Sequence, residues 1–165
     1  MHHSFVRLFM AAAIILISGC AATPRSALDP AAVRSPRSAL DPAAVRYIPP
    51  DQIQWKDNAA GTAANAPLHG DPTKPGPYAY FNKWKPGNMS RPHFHENDRY
   101  ISVLAGTWWV GSGKKFDPDS TVPLGAGTTV IHTGKQVHYD GAKQGEAILL
   151  IHGIGPATSK LAEEK

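Results

Sequence analysis

Short apolar runs, rich in β-branched and aromatic residues and separated by glycine and proline, follow one another from residue 47 onward. The breaks between them fall at residue pairs that favour turns, and before the charged C-terminal tail no window keeps a helical period over three turns. This pattern predicts an all-β barrel or sandwich with little helix. The predicted strands are residues 78–83, 100–104, 107–110, 128–132 and 147–152.

Two segments beside these strands have the composition of surface loops. Residues 68–77 are rich in glycine and proline and precede the first long predicted strand. Residues 114–123 are polar and contain Asp117-Pro118-Asp119, which favours a turn. We expect both segments to lie outside the sheet.

The first twenty residues have the pattern of a secretion signal. Arg7 gives a basic start, an apolar run of ten residues follows at 8–17, and small residues precede Cys20. Ten apolar residues are too few to span a bilayer. We therefore predict a signal peptide over residues 1–20 that ends at Cys20, the only cysteine in the chain.

Residues 17–20, Ile-Ser-Gly-Cys, resemble a bacterial lipobox, in which the cysteine carries the lipid after cleavage. Ala21 and Ala22 follow, where an aspartate would be the usual signal for retention in the inner membrane. The resemblance implies lipidation of Cys20 and attachment to the periplasmic face of the outer membrane. The alternative is an ordinary cleaved signal that leaves an unpaired cysteine, which is unusual in an exported protein.

A tandem repeat comes next, because residues 24–34 recur without change as residues 36–46. Each copy holds two prolines and few large apolar residues, and solenoid units are longer than this period. We interpret residues 21–46 as a disordered tether and residues 47–165 as one domain.

The basic character of the chain does not extend to that domain. The whole sequence has a net charge of +4, but residues 47–165 hold twelve basic and eleven acidic side chains. They contain no basic stripe with interleaved aromatic residues. We therefore expect no nucleic-acid partner.

His93 and His95 are one residue apart in a stretch with the pattern of a β-strand. Alternate side chains of a strand point the same way, so the two imidazoles can share one metal ion or one small anion. His138, on a later strand-like run, is the candidate third ligand. The alternative is that these histidines are ordinary polar residues at a solvent-facing strand edge.

The spacing around the pair resembles the first motif of the cupin superfamily, which has a glycine, His-x-His, a glutamate and a second glycine. Gly87, His93, His95 and Gly106 occupy fitting positions. Arg99 stands where the glutamate belongs. The match is therefore complete except for the one anionic metal ligand.

The second cupin motif is matched at Gly127 and His138 only. Residues 68–156 also resemble small single-domain cupins similar to the cupin half of zinc-binding anti-sigma factors. The resemblance implies a double-stranded β-helix, also called a jelly-roll barrel, and a homodimer, since cupins often pair through their sheets. The unmatched positions hold Thr133, Lys135 and Ala142 in place of proline, glycine and asparagine.

The resemblance implies that His93, His95 and His138 hold a divalent metal ion, with zinc, iron, manganese and nickel as the candidates. A guanidinium about 5 Å from such an ion, at an effective dielectric constant of about 20, repels it by roughly 6 to 7 kcal/mol. Structural zinc sites reach binding free energies on the order of 10 to 16 kcal/mol, although those sites also use thiolates. Arg99 therefore weakens metal binding without excluding it.

Two arrangements relieve this repulsion. Arg99 can turn away and pair with Glu96, Asp98 or Asp140, or an anionic ligand can lie between Arg99 and the metal. A guanidinium fork suits carboxylate and phosphate groups. The second arrangement makes Arg99 a substrate-binding residue for a small anionic molecule.

Two functions from different classes fit these residues. The first is a metal-dependent enzyme acting on a small anionic molecule, since no serine, cysteine or lysine lies in a recognisable nucleophile motif. The second is a non-catalytic module that binds or senses a metal or small ligand, and a metal-free structural cupin is a third reading. Gln136 and His132 share the strand parity of His138 and are further candidates for substrate contact.

Overall fold

The curled sheet has an inner side, which is clearest in the strand with a regular alternation of buried and more exposed residues. The computed structural model describes residues 40–164. In the strand Ala147–Gly155, every second residue from Ala147 onward is buried. Because successive side chains of a strand point to opposite faces, the buried set of each strand meets on the inner side and forms the core.

Eleven strands and two short 3₁₀ helices make up the regular structure of the described residues. The helices are Pro50–Gln52 and Pro118–Ser120, so the small helix content matches the prediction. Within residues 40–164, no helix has the length and apolarity needed to cross a membrane. The strands are β1 (Lys56–Asp57), β2 (Ala63–His69), β3 (Gly76–Trp84), β4 (Asn88–Met89), β5 (His93–Phe94), β6 (Arg99–Ser112), β7 (Val122–Gly125), β8 (Thr129–His132), β9 (His138–Ala142), β10 (Ala147–Gly155) and β11 (Lys160–Leu161).

The chain divides into two units between Tyr47 and Ile48. The described part of the first unit, residues 40–47, is exposed and includes a turn in which the Ala44 N–H donates to the Asp41 carbonyl (3.0 Å). The second unit carries all eleven strands. The predicted signal peptide with Cys20, and the predicted tether as far as residue 39, lie outside the described residues.

Strand β6 joins the two halves of the sheet. Its first half pairs with β8 and β10, and its second half pairs with β7 and β9. The hydrogen-bonded order is β1-β2-β3-β10-β6-β9-β5-β11, with antiparallel neighbours throughout. Strands β5 and β9 are therefore neighbours, which brings the segments that carry His93 and His138 side by side.

Gly106 allows β6 to bend from one half of the sheet to the other. Its φ is +74°, and a Cβ at this position would lie 2.0 Å from the Glu146 carbonyl oxygen. Two residues earlier, the pairing of β6 with β10 shifts register between Ile148 and Leu149, which leaves Leu104 unpaired as in a β-bulge. The two strands predicted at 100–104 and 107–110 are thus one continuous strand, and the separation expected between them was wrong.

The core lies between the two halves of the sheet. Trp108 is fully buried and packs in one cluster with Ile101, Val103 and Leu149. Each buried side chain of this size stabilises the folded protein by about 1.5 to 3 kcal/mol relative to leaving it exposed. The Trp108 indole also donates to Asp140 on β9, the strand that carries His138, so the core directly contacts the histidine site.

Strands β2 and β7 were not predicted. The buried positions of β2 are Ala63, Ala64 and Ala66, and alanine gives no β-strand signal. Both segments expected as loops are partly strand. At 68–77, β2 extends to His69 and β3 begins at Gly76, and at 114–123, β7 begins at Val122. These strands form because they complete hydrogen-bond ladders along β3 and β6.

Candidate metal centre

Three buried histidines converge at the junction of β5 and β9. His93 on β5 lies directly opposite His138 on β9, and His95 follows β5 by one residue. The ring centroids are 4.6 Å apart for His93 and His138, 4.9 Å for His93 and His95, and 5.1 Å for His95 and His138. One ligand nitrogen from each residue lies within 4.8 Å of the other two. The structure therefore brings together the three residues that we predicted as metal ligands from the sequence.

Each of these imidazoles is oriented by a hydrogen bond from Nδ1 to a main-chain carbonyl. A carbonyl oxygen only accepts, so Nδ1 carries the proton and Nε2 keeps its lone pair. This is the outer contact that metal-binding histidines usually make. The carbonyls belong to Arg91 for His93 (2.8 Å), to Thr158 for His95 (2.6 Å) and to Gln136 for His138 (3.1 Å).

The Nε2 atom of His138 shows how well the residues fit a metal. It is buried and has no hydrogen-bond partner among residues 40–164. Leaving a buried polar atom unsatisfied costs about 1 to 3 kcal/mol, so such an atom needs an explanation. A divalent cation would use the lone pair, and three imidazoles suit zinc, iron or nickel chemically. The donor set therefore fits a divalent metal.

Arg99 faces the three histidines. Its Nη1 donates to His95 Nε2 at 2.6 Å, and its Nη2 donates to the Tyr80 hydroxyl at 2.5 Å. Its Nε is buried and has no partner in the described part of the chain. In this arrangement the guanidinium occupies the lone pair through which His95 would bind a metal.

The carboxylates that could have drawn Arg99 away have other partners. Asp98 accepts from the Gly134 N–H at 2.7 Å, and Glu96 pairs with Lys160 at 2.5 Å. Across residues 40–164, no carboxylate oxygen lies within 4.0 Å of the Arg99 guanidinium. Of the two arrangements derived from the sequence, the ion pair does not form among the described residues, and Arg99 instead caps His95 by donating to its Nε2.

Asp140 is the buried carboxylate beside the histidines. It accepts from Trp108 Nε1 at 2.9 Å and from Ser90 Oγ at 3.1 Å. Burial opposes its ionisation, but neighbouring imidazoles and the Trp108 N–H outweigh that effect and hold the pKa of Asp140 below its ordinary value. The sequence offered Asp140 only as a partner for Arg99, because no motif marks it as part of the site.

His132 lies behind the three ligands. Its ring centroid is 3.7 Å from that of His138 and 5.4 Å from that of Trp108, and its buried Nε2 has no partner in residues 40–164. Gln136 is exposed and reaches the site only through its main-chain carbonyl. Neither residue lines the cavity beside the histidines, so Arg99 is the one predicted substrate contact that does.

That cavity has a volume of about 300 Å³. Its polar wall includes Tyr80 and Asn82 on β3, which the sequence analysis did not single out. Asn82 donates to Asn65 Oδ1 at 2.9 Å, while its own Oδ1 is buried without a partner in the described chain. The alternation of side chains along a strand could have identified them. Tyr80 and Asn82 lie on the same face of β3 as Tyr78, which faces the core.

Burial also sets the charge of the cluster. It lowers the pKa of His95 to about 3, with the Arg99 cation adding to the effect. It likewise lowers the pKa of His132 to about 3 and that of His138 to about 4. The imidazoles of His95, His132 and His138 are therefore neutral at pH 7, which is the form that binds metals.

These pKa values predict a loss of stability in acid for the metal-free protein. The folded state keeps the three imidazoles neutral, whereas the unfolded chain protonates them near pH 6.5, so the unfolded state binds more protons between about pH 4 and pH 6.5. The free energy of unfolding should fall by about 2 to 5 kcal/mol from pH 7 to pH 5. Urea denaturation at both pH values measures this, and unchanged midpoints would contradict it.

The C-terminal segment closes one side of the site. The Thr158 carbonyl orients His95, β11 pairs with β5, and Ser159 and Leu161 line the cavity. Ion pairs of Glu163 with Arg91 and of Lys160 with Glu96 hold the segment in place. The end of the chain is therefore part of the site.

Ending the chain after Ala157 should lower metal affinity about 10- to 100-fold, because His95 loses the carbonyl that orients it. The Ala157 N–H still donates to the Pro72 carbonyl at 2.6 Å, so the preceding chain stays anchored. A matched truncation after Leu161 removes the Glu163 ion pair but keeps Thr158. Calorimetric metal titration compares the two, and equal affinities would show that the Thr158 carbonyl has no such role.

Several solved structures have a similar fold. The polyketide cyclase RemF from Streptomyces resistomycificus gives a TM-score of 0.59 and 16% identity, covering 73% of this chain and 87% of that one. An uncharacterized conserved protein with a double-stranded β-helix domain from Klebsiella pneumoniae gives 0.55 and 19%, covering 73% and 99%. A sugar phosphate isomerase of the cupin superfamily from Silicibacter pomeroyi gives 0.53 and 17%, covering 67% and 76%. No protein-family model and no curated protein matches the sequence.

These similarities establish the fold. The curled all-β sheet is a double-stranded β-helix of the cupin type, as the first histidine motif and the strand pattern predicted. The similar structures include a cyclase, an isomerase and proteins without a stated activity. One scaffold thus carries several functions, and the function of this chain has to be argued from its own site.

Proposed function

We propose that the protein holds a divalent metal ion through Nε2 of His93, His95 and His138. The observation that supports this most is the set of three Nδ1–carbonyl hydrogen bonds, which leave Nε2 as the unprotonated nitrogen of each imidazole in a buried cluster. The unsatisfied Nε2 of His138 adds to it. Three protein ligands would leave coordination positions open for water or substrate.

We further propose that the cavity beside the metal ligands binds a small anionic molecule. Arg99 supplies a permanent positive charge that no described carboxylate neutralises, and a partly buried cation without a counter-ion attracts anions. The Tyr80 hydroxyl accepts from Arg99 Nη2, so its own proton remains to be donated. A volume of about 300 Å³ admits a small molecule only.

The proposed metal site and the proposed anion-binding cavity together support a metal-dependent enzyme acting on a small anion. A bound divalent cation would act as a Lewis acid or lower the pKa of a bound water. Arg99 and Tyr80 would hold the anion, and Ser159 and Leu161 of the C-terminal segment would form one wall of its cavity. A non-catalytic module that binds or senses the metal is the second candidate, and the Arg99 cap on His95 favours it because it weakens the metal site.

Metal analysis of protein purified without a histidine tag tests the proposal. We expect about one equivalent of a divalent metal per chain after loading and desalting. The protein should bind it with the same stoichiometry from zinc, iron, manganese or nickel solutions, at different affinities. Absence of a stoichiometric metal would contradict the metal function and leave a metal-free structural role.

We propose that the protein is a lipoprotein on the periplasmic face of the outer membrane. The support is the sequence Ile17-Ser18-Gly19-Cys20 followed by Ala21. Replacing Cys20 by alanine should abolish incorporation of labelled palmitate and release the protein from the membrane fraction. Ser18→Ala is the matched control and should keep the label. Equal labelling of both variants would contradict lipidation at Cys20.

A further inference from the structure

Arg99 and a metal ion compete for one atom. Arg99 Nη1 donates to His95 Nε2 at 2.6 Å, and the same lone pair is the one that His95 would offer to a metal, because its Nδ1 is committed to the Thr158 carbonyl. A single lone pair cannot serve both partners. A metal held by all three histidines therefore requires the guanidinium to leave His95.

The displaced guanidinium needs a new acceptor close by. Arginine stays protonated in proteins, and a divalent cation at the histidines would repel it. Besides His95, it contacts the Tyr80 hydroxyl and interacts with Tyr78, and its Nε lacks an acceptor among the described residues. Asp98 and Glu96 are committed to Gly134 and Lys160, respectively. Asp140, the buried carboxylate that lines the same cavity, accepts from Trp108 Nε1 and Ser90 Oγ. All three nearby carboxylates therefore already have other partners.

A small carboxylate in the cavity would meet this need. Arginine and carboxylate form parallel hydrogen bonds in a fork geometry, and the Tyr80 hydroxyl can donate one more. Arg99, His93 and His95 all line the cavity, whose volume of about 300 Å³ has room for such a molecule. An anion there would also offset part of the repulsion between the metal and the guanidinium.

We propose that Arg99 makes the binding of a divalent metal and the binding of a small carboxylate mutually dependent, by exchanging His95 Nε2 for the carboxylate. This linkage rests on the proposed metal function and names its anion class. Without the anion, Arg99 caps His95 and the metal binds weakly. With the anion, Arg99 is held away and all three histidines are available. Linkage is reciprocal, so each ligand strengthens the other by the same factor.

Calorimetric titration with Zn²⁺, with and without saturating acetate at constant ionic strength, tests the linkage on the unmodified protein. We expect acetate to raise Zn²⁺ affinity about 5- to 150-fold, and Zn²⁺ to raise acetate affinity by the same factor. Equal Zn²⁺ affinity in the presence and absence of acetate would overturn the linkage.

Two variants assign the effect to the arginine. Arg99→Met keeps the length of the side chain but not its charge or donors, so it should bind Zn²⁺ more tightly than the wild type without acetate and should not respond to acetate. Lys115→Met removes a positive charge from an exposed residue that does not line the cavity, and should respond as the wild type does. The weak complexation of Zn²⁺ by acetate in solution acts equally on all three proteins.

The outcomes separate the linkage from the metal function on which it rests. An acetate effect of the same size in Arg99→Met would overturn the linkage and leave the metal function standing. Failure of both the wild type and Arg99→Met to bind Zn²⁺, with both proteins folded by circular dichroism, would overturn the metal function and the linkage with it.

Discussion

Replacing His138 by alanine should lower metal affinity by more than about 100-fold, since loss of an outer contact to a ligand already costs 10- to 100-fold. The variant removes the lone pair that is buried without a partner and leaves two imidazoles, one of which Arg99 caps. Zn²⁺ titration by calorimetry measures the change.

His152→Ala is the matched control for this prediction. His152 is an exposed histidine that stacks on Tyr100 at 5.3 Å, on the opposite face of β10 from the buried Ile151. It should leave Zn²⁺ affinity unchanged. If His138→Ala binds Zn²⁺ as tightly as the wild type, the three-histidine site is wrong.

Replacing Arg99 by glutamate should have the largest effect in the opposite direction and tighten metal binding at least about 100-fold. The change removes the repulsion between the Arg99 guanidinium and the metal, which is roughly 6 to 7 kcal/mol at about 5 Å and an effective dielectric constant of about 20. The wild type avoids part of this repulsion by moving Arg99 away from the metal. The substitution also frees His95 Nε2 and adds an anionic ligand. Competition with a chelator of known affinity measures the gain.

Arg99→Gln separates the effect of losing the positive charge from the effect of adding an anionic ligand. It removes the positive charge and adds no anion, so its affinity should lie between those of the wild type and Arg99→Glu. Unchanged affinity in both variants would mean that Arg99 does not influence the metal, in spite of its contact with His95.

The sequence was a good guide where local pattern and tertiary structure agree. The apolar, β-prone run at residues 147–152 predicted β10, and the His-x-His spacing predicted the convergence of His93 and His95. β5 is only two residues long, and His95 lies beyond it. The convergence survives because the Thr158 carbonyl, rather than strand geometry alone, sets the orientation of His95.

The sequence could not show contacts between distant segments. Thr158 lies in the tail, 63 residues from His95, and no pattern marks its carbonyl as a partner of an imidazole. Asp140 is part of the site because it accepts from Trp108 and Ser90 across the fold. The orientation of Arg99 likewise depends on Tyr80, 19 residues away on a strand that is its neighbour only through β10.

In the proposed site, three Nε2 atoms share one metal while the Nδ1 atoms keep their protons. Long-range ¹H–¹⁵N NMR of the imidazoles during a Zn²⁺ titration tests it most directly. We predict that the Nε2 resonances of His93, His95 and His138 shift together, and that the change in chemical shift is complete at about one equivalent of Zn²⁺. Nδ1 should stay protonated throughout. Resonances that do not respond to Zn²⁺, or a response at Nδ1, would contradict the account.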